Sequence, residues 1–74
     1  MPRRGTIHAA VSNADGWFTA ACLEIAVVTQ GRTFDETLEN LRDAIALHLE
    51  EETPEQLGLS RPISLSITFE QDLG

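Results

Sequence analysis

Apolar and polar residues alternate over residues 6–12 and 17–24, and a period of two is typical of β-strands. The segment between them, Asn-Ala-Asp-Gly over residues 13–16, is typical of a tight turn, and Gly16 can adopt a positive φ. We therefore predict a β-hairpin. Residues 25–30 are rich in β-branched side chains and predict a third strand. Because residues 25–26 contain no strong turn former, one long bent strand is the alternative.

A helix is predicted over residues 34–51. Thr33 and Glu36 form a capping-box pattern at its start, and a residue that precedes Pro54 disfavours helical geometry, which ends it. Its apolar residues are spaced four, three, four and four apart and form one stripe. These residues are Phe34, Leu38, Leu41, Ile45 and Leu49.

Residues 63–70 show the clearest alternation in the chain and predict a half-buried last strand against the helix. A short helical turn, with Thr53 as its cap and Gly58 as its end, is predicted before it. These elements make one α+β domain over residues 1–74, in two layers. A mixed or antiparallel sheet of three to four strands is covered on one face by one long helix. The bare face, or an edge strand, is where a partner is expected.

The length of 74 residues limits how this domain can be stabilised, because a chain this short buries a thin core. Cys22 is the only cysteine, so no intrachain disulfide can form, and one Cys with two His residues does not supply a structural zinc site. Self-association into a dimer or tetramer is the expected source of further burial. A lone cysteine, no signal-peptide pattern and no long apolar run predict a cytoplasmic protein without membrane contact.

The net charge of −7, with no lysine and five scattered arginines, disfavours direct binding to nucleic acid. The same charge favours a basic protein as partner, because an acidic surface steers a cationic one towards it.

Candidate chemistry is sparse, and we predict no catalytic residue, no metal site and no cofactor. His48 is a metal ligand or base in one interpretation. With no other ligand type predicted beside it, an amphipathic side chain at the end of the helix is favoured. His8 belongs to the polar face of strand one, Cys22 is interpreted as a small buried hydrophobe, and the carboxylates as a solvated face. Trp17 either fills the core or anchors an interface.

Several strings resemble the HicB-type antitoxin family. They are Thr-Gln-Gly-x-Thr at residues 29–33, Glu-x-x-x-Asn at 36–40, and Ala-Ile-x-Leu-His-Leu-Glu at 44–50. The resemblance covers about residues 17–51. It implies a shrunken ribonuclease-H-like fold, ββ(β)αβ, with the last strand beside and parallel to the first. It also implies that the protein binds and neutralises a small basic HicA-type ribonuclease toxin.

The sequence departs from the family pattern in three places: residues 23–26 lack the usual Pro/Gly turn, Thr37 replaces a small Ala, and His48 replaces a common Tyr. Many family members continue into a DNA-binding domain, whereas this sequence stops at Gly74, so operator binding is not carried over. The predicted partner-binding residues are Trp17, Glu24, Asp35, Glu39 and Asp43. The alternatives are an orphan homo-oligomeric module without a toxin partner, and a residual nuclease using Glu24 and Asp15.

Overall fold

The structure is a computed structural model and describes residues 5–71 and 73. Strand β1 spans Gly5–Ala14 and β2 spans Trp17–Cys22, and the two pair antiparallel. Asp15 and Gly16 between them have φ values of 54° and 77°. Two successive positive φ values match the right-handed twist of the flanking strands. The predicted hairpin and its turn are confirmed.

Strand β3 spans Val28–Gly31, so the third strand starts three residues later than predicted, and β2 stops two residues earlier. The backbone N–H of Leu23 still donates to the carbonyl of His8, at 2.9 Å. The N–H of His8, however, donates to a carboxylate oxygen of Glu24 at 2.7 Å. A side chain therefore takes the place of the next backbone acceptor, and β2 ends there. The alternative of one long bent strand is wrong.

The β2–β3 connection is held inside the fold by its own apolar residues. Ile25 and Val27 are buried in the core, and the N–H of Cys22 donates to the carbonyl of Val27 at 3.0 Å, which closes the bend. Burial and this hydrogen bond replace the Pro/Gly turn that the sequence lacks.

Helix α1 spans Phe34–Glu51, as predicted. The hydroxyl of Thr33 accepts from the N–H of Glu36 at 3.0 Å, which is half of a capping box. The other half differs, because the carboxylate of Glu36 accepts from the N–H of Arg32 at 2.9 Å. After the helix, Thr53 and Gln56 cap each other across a short turn, and Gly58 follows with a φ of 74°.

Strand β4 spans Ile63–Glu70 and pairs parallel to β1, so the sheet order is β3-β2-β1-β4. The fold is thus α+β, a mixed four-stranded sheet with one helix on one face, which confirms the predicted fold class. No helix in the described residues is long and apolar enough to span a lipid bilayer.

The core lies between the helix and one face of the sheet, and its members are buried apolar residues of both layers: Ile7, Ala9, Val11, Ala20, Ile25, Val27, Leu41 and Ile45. The helix backbone approaches β3 and β2 most closely. The closest approach is at Gly31, where an added Cβ would lie 2.5 Å from Oγ1 of Thr37. Farther from this contact, the apolar side chains of β4 are only partly buried.

Candidate functional site

The five residues predicted to bind a partner lie on three separate surfaces. Asp35, Glu39 and Asp43 follow one another at intervals of four on α1, so they form one exposed ridge. This ridge is opposite the buried positions Thr37 and Leu41, and it faces away from the sheet. The other two predicted residues lie at opposite ends of β2. One flat interface therefore cannot contain all five.

Trp17 is partly covered by the protein itself. The guanidinium of Arg32 lies 3.8 Å from the centre of the indole ring, which is cation–π geometry. The ring is 39% exposed and does not belong to the core cluster. Of the two interpretations of Trp17, core filling is therefore wrong. Its role as an interface anchor stays a prediction.

Glu24 makes its contacts with a single residue of β1. Its carboxylate accepts from the backbone N–H of His8, and its second oxygen lies 2.5 Å from Nδ1 of the same residue. The backbone hydrogen bond, reinforced by the ring, lowers the pKa of Glu24 below its ordinary value of 4.5. Glu24 thus fixes the bend that ends β2, which is a structural role that the sequence did not reveal.

Replacing Glu24 with glutamine is expected to destabilise the fold by about 1 kcal/mol, because a hydrogen bond to a charged acceptor becomes one to a neutral amide. A carboxyl whose pKa is lowered in the folded state stabilises the fold above its unfolded pKa. That contribution is lost as the pH falls below 4.5. Urea unfolding of both proteins at several pH values measures this. The gap between wild type and Glu24→Gln should close under acid conditions, and a constant gap would contradict the assignment.

Asp15 and Glu24, the pair considered for residual nuclease activity, do not converge. Asp15 lies in the turn before β2 and Glu24 lies beyond its end, so a six-residue strand separates them, about 20 Å in length. Two-metal hydrolysis needs carboxylates around ions about 4 Å apart. Within the described residues, no three His, Cys, Asp or Glu side chains are grouped to hold a metal ion.

Cys22 is half-buried on the helix side of β2. Burial raises the pKa of its thiol, and the nearby charge of Glu24 raises it further. Because the thiolate is the nucleophile, these two effects oppose reactivity at neutral pH. This agrees with Cys22 acting as a small hydrophobe.

His48 has a polar neighbour that was not predicted from the sequence. Its Nε2 lies 3.3 Å from a carboxylate oxygen of Glu52, one helical turn later. The same Nε2 is buried and makes no hydrogen bond within the described residues. The side chain is 22% exposed, as expected for an amphipathic side chain near a helix C-terminus.

A groove runs beside strand β3, and we call it the β3-edge groove. It encloses about 260 Å³ between the β2–β3 connection and the C-terminal half of α1. Its walls are formed by residues of both elements: Ala26, Val27, Val28, Ala44, Leu47, His48 and Glu51. This site was not predicted from the sequence. The available signal was Leu47, an apolar residue that lies off the core stripe of the helix.

One large apolar side chain of the β3-edge groove is open to solvent: Leu47 is 61% exposed. Val28 is 67% exposed, but its partner in the register is Ala21, so its side chain lies on the sheet face away from α1. Exposed apolar groups at a concave place with polar neighbours are typical of protein interfaces. Burying Leu47 against a partner would stabilise a complex.

The charge around the β3-edge groove is negative. Glu51 lines it, and Glu50 and Glu52 flank Glu51 in the sequence. The carbonyl end of α1 adds a partial negative charge at the same place. A cationic side chain with a long aliphatic stem, arginine above all, fits apolar walls that lead to a carboxylate.

Comparisons of the chain with protein-family models, with curated proteins and with solved structures return no match.

Proposed function

We propose that this protein is an antitoxin-like binder that neutralises a small basic ribonuclease of the HicA type without catalysing a reaction. The observation that carries the proposal is the β3-edge groove. It combines the exposed side chain of Leu47 with the carboxylate of Glu51, on a chain of net charge −7. Apolar anchors supply affinity, and the acidic charge accelerates association with a basic partner.

Two further observations support this proposal. The strings over residues 29–50 resemble the HicB pattern. Strand β4 also pairs parallel to β1, which is the arrangement that the resemblance implies. In this proposal an arginine or lysine of the toxin enters the β3-edge groove, and the body of the antitoxin covers the toxin's RNA-binding surface.

The proposal is tested by co-purification from the native host followed by an RNA-cleavage assay. The tagged protein is expected to recover a stoichiometric, small, basic protein. That partner should cleave RNA alone and lose this activity when the acidic protein is added in excess. Recovery of no such protein, or cleavage unaffected by the addition, would reject the antitoxin role. Recovery of the protein only with itself would favour the orphan homo-oligomeric module.

Charge reversal at the groove should weaken the complex. Glu51→Arg is expected to raise the dissociation constant at least tenfold, which corresponds to about 1.4 kcal/mol, because it places like charges face to face. Glu39→Arg makes the same charge change on the outward ridge of α1 and serves as the matched control. Titration calorimetry with the recovered partner measures the dissociation constants of both variants. An equal loss for both variants would show that only total charge matters and that the groove is not the contact.

The ridge formed by Asp35, Glu39 and Asp43 is the competing contact surface. If Glu39→Arg weakened binding and Glu51→Arg did not, the interface would lie on that ridge instead. The two variants therefore decide between the groove and the surface predicted from the sequence.

A further inference from the structure

In the part of the chain that the structure describes, no further strand pairs with the second edge of the sheet, which is formed by β4. An edge strand exposes a row of unpaired backbone groups, and proteins usually guard it by shortening it, charging it or interrupting it. The β3 edge has four residues, whereas β4 has eight. Residues 63–69 carry no charge, no proline and no glycine. Their pairing with β1 runs without a bulge.

The apolar face of β4 is also incompletely covered. Ile63, Leu65 and Ile67 are only partly buried, and Phe69 is 37% exposed. A second groove of about 260 Å³ opens between this face and α1. It is lined mainly by apolar residues of the strand, the helix and β1: Ile7, Ile45, Ala46, Leu49, Ile63 and Leu65, together with Arg42 and Ser64.

We propose that β4 pairs antiparallel with β4 of a second copy of this chain, which joins the two sheets into one of eight strands. A two-fold axis perpendicular to the sheet relates the copies, so both helices lie on the same side. Such an axis keeps every residue on its own face, and residues directly opposite must therefore both be odd or both be even in number. The axis consequently lies midway between the two copies of one residue, which face each other across it.

The register centred on Ser66 is the one that pairs the whole uncharged segment of residues 63–69 with its copy. In this register Ser66 faces its own copy, Leu65 faces Ile67, and Ile63 faces Phe69. Glu70 then lies opposite Pro62, outside this segment. Moving the centre to Leu65 or Ile67 would place two residues of the segment opposite residues that lie outside it.

A second copy fits this edge better than a charged partner does. Two chains of net charge −7 repel each other, but the pairing segment of residues 63–69 is uncharged and places no carboxylates face to face. The pairing also joins the apolar rows of both copies into one continuous surface on the helix side. This adds apolar burial to a chain of 74 residues, whose own core is thin. The inference is independent of toxin binding, which concerns the opposite edge.

Light scattering over a dilution series tests the dimer. The wild type is expected at about twice the monomer mass of 8.1 kDa. Ser66→Lys places two ammonium groups opposite each other on the axis, and should raise the dimer dissociation constant at least tenfold. Gln30→Lys, the same change in charge on β3, should leave it unchanged. Because both variants lower the net negative charge, general repulsion cannot explain a difference. A monomeric wild type, or a Ser66→Lys variant that remains dimeric, would overturn the proposal.

Disulfide trapping tests the register. With Cys22 replaced by alanine, Ser66→Cys brings two thiols together on the axis, within the Cα separation that a disulfide needs. Ser64→Cys places its two thiols four residues apart along the strands, about 13 Å. Mild oxidation with diamide should cross-link two samples: the Ser66→Cys variant by itself, and a mixture of the Ser64→Cys and Thr68→Cys variants. Cross-linking of Ser64→Cys by itself would overturn this register.

Discussion

Replacing Leu41 with alanine is expected to lower the free energy of unfolding by about 2–5 kcal/mol. Leu41 has no exposed surface and lies at the centre of the contact between α1 and the sheet. The substitution removes buried methyl groups and leaves a cavity that neighbouring side chains fill only partly. Because a domain of this length is marginally stable, the loss should leave a large fraction of the protein unfolded at 37 °C.

Leu47→Ala is the matched control, since it makes the same chemical change on the same helix at a side chain that is 61% exposed. Its effect on stability should stay within about 0.5 kcal/mol. Urea unfolding followed by circular dichroism measures both variants. In the toxin-binding assay Leu47→Ala should have the larger effect on affinity, because Leu47 lines the β3-edge groove and Leu41 does not. Equal destabilisation by both substitutions would contradict the packing described here.

Gly31→Ala is expected to destabilise the fold by about 1–3 kcal/mol through overpacking. An added Cβ would lie 2.5 Å from Oγ1 of Thr37 and 2.8 Å from its backbone N. The first of these atoms belongs to a side chain with no exposed surface, whose hydroxyl donates to the carbonyl of Thr33 at 2.7 Å. Neither atom can move without shifting the first turn of α1.

A double-mutant cycle with Thr37→Ala tests this account by thermal unfolding. Removing the hydroxyl takes away the nearest atom, so Gly31→Ala should cost less in that background, although the backbone N at 2.8 Å leaves part of the cost. Gly58→Ala gives a different comparison, because a Cβ there meets nothing within 4 Å and its cost comes from the φ of 74° alone. Purely additive effects of Gly31→Ala and Thr37→Ala would refute the steric explanation.

The elements with a strong local pattern could be predicted from the sequence. The helix over residues 34–51, the turn at Asp15 and Gly16, and the alternating strand β4 depend on neighbours along the chain, and all three are confirmed. The bend between β2 and β3 depends instead on the carboxylate of Glu24 reaching residue 8 on another strand. The propensities of neighbouring residues do not predict a contact between two strands.

The candidate site was less predictable for a related reason. Acidic residues on the helix and a lone tryptophan indicated a binding surface, but Asp35, Glu39 and Asp43 lie opposite the buried face of the helix and precede the groove residues along it. The β3-edge groove appears only when the connection containing Ala26 packs beside Leu47 and Glu51. An apolar residue off the core stripe is the sequence signal that points towards it.

The contact between Trp17 and Arg32 also gives the protein an internal optical reporter. The chain has one tryptophan and no tyrosine, so its ultraviolet emission comes from a single indole ring. That ring stacks under a guanidinium at the hairpin end of β2, away from the β3-edge groove and two strands from the outer edge of β4. Unfolding separates the two groups and alters the emission. Fluorescence therefore follows folding, and a change in emission on adding a partner to the folded protein would place Trp17 in the interface.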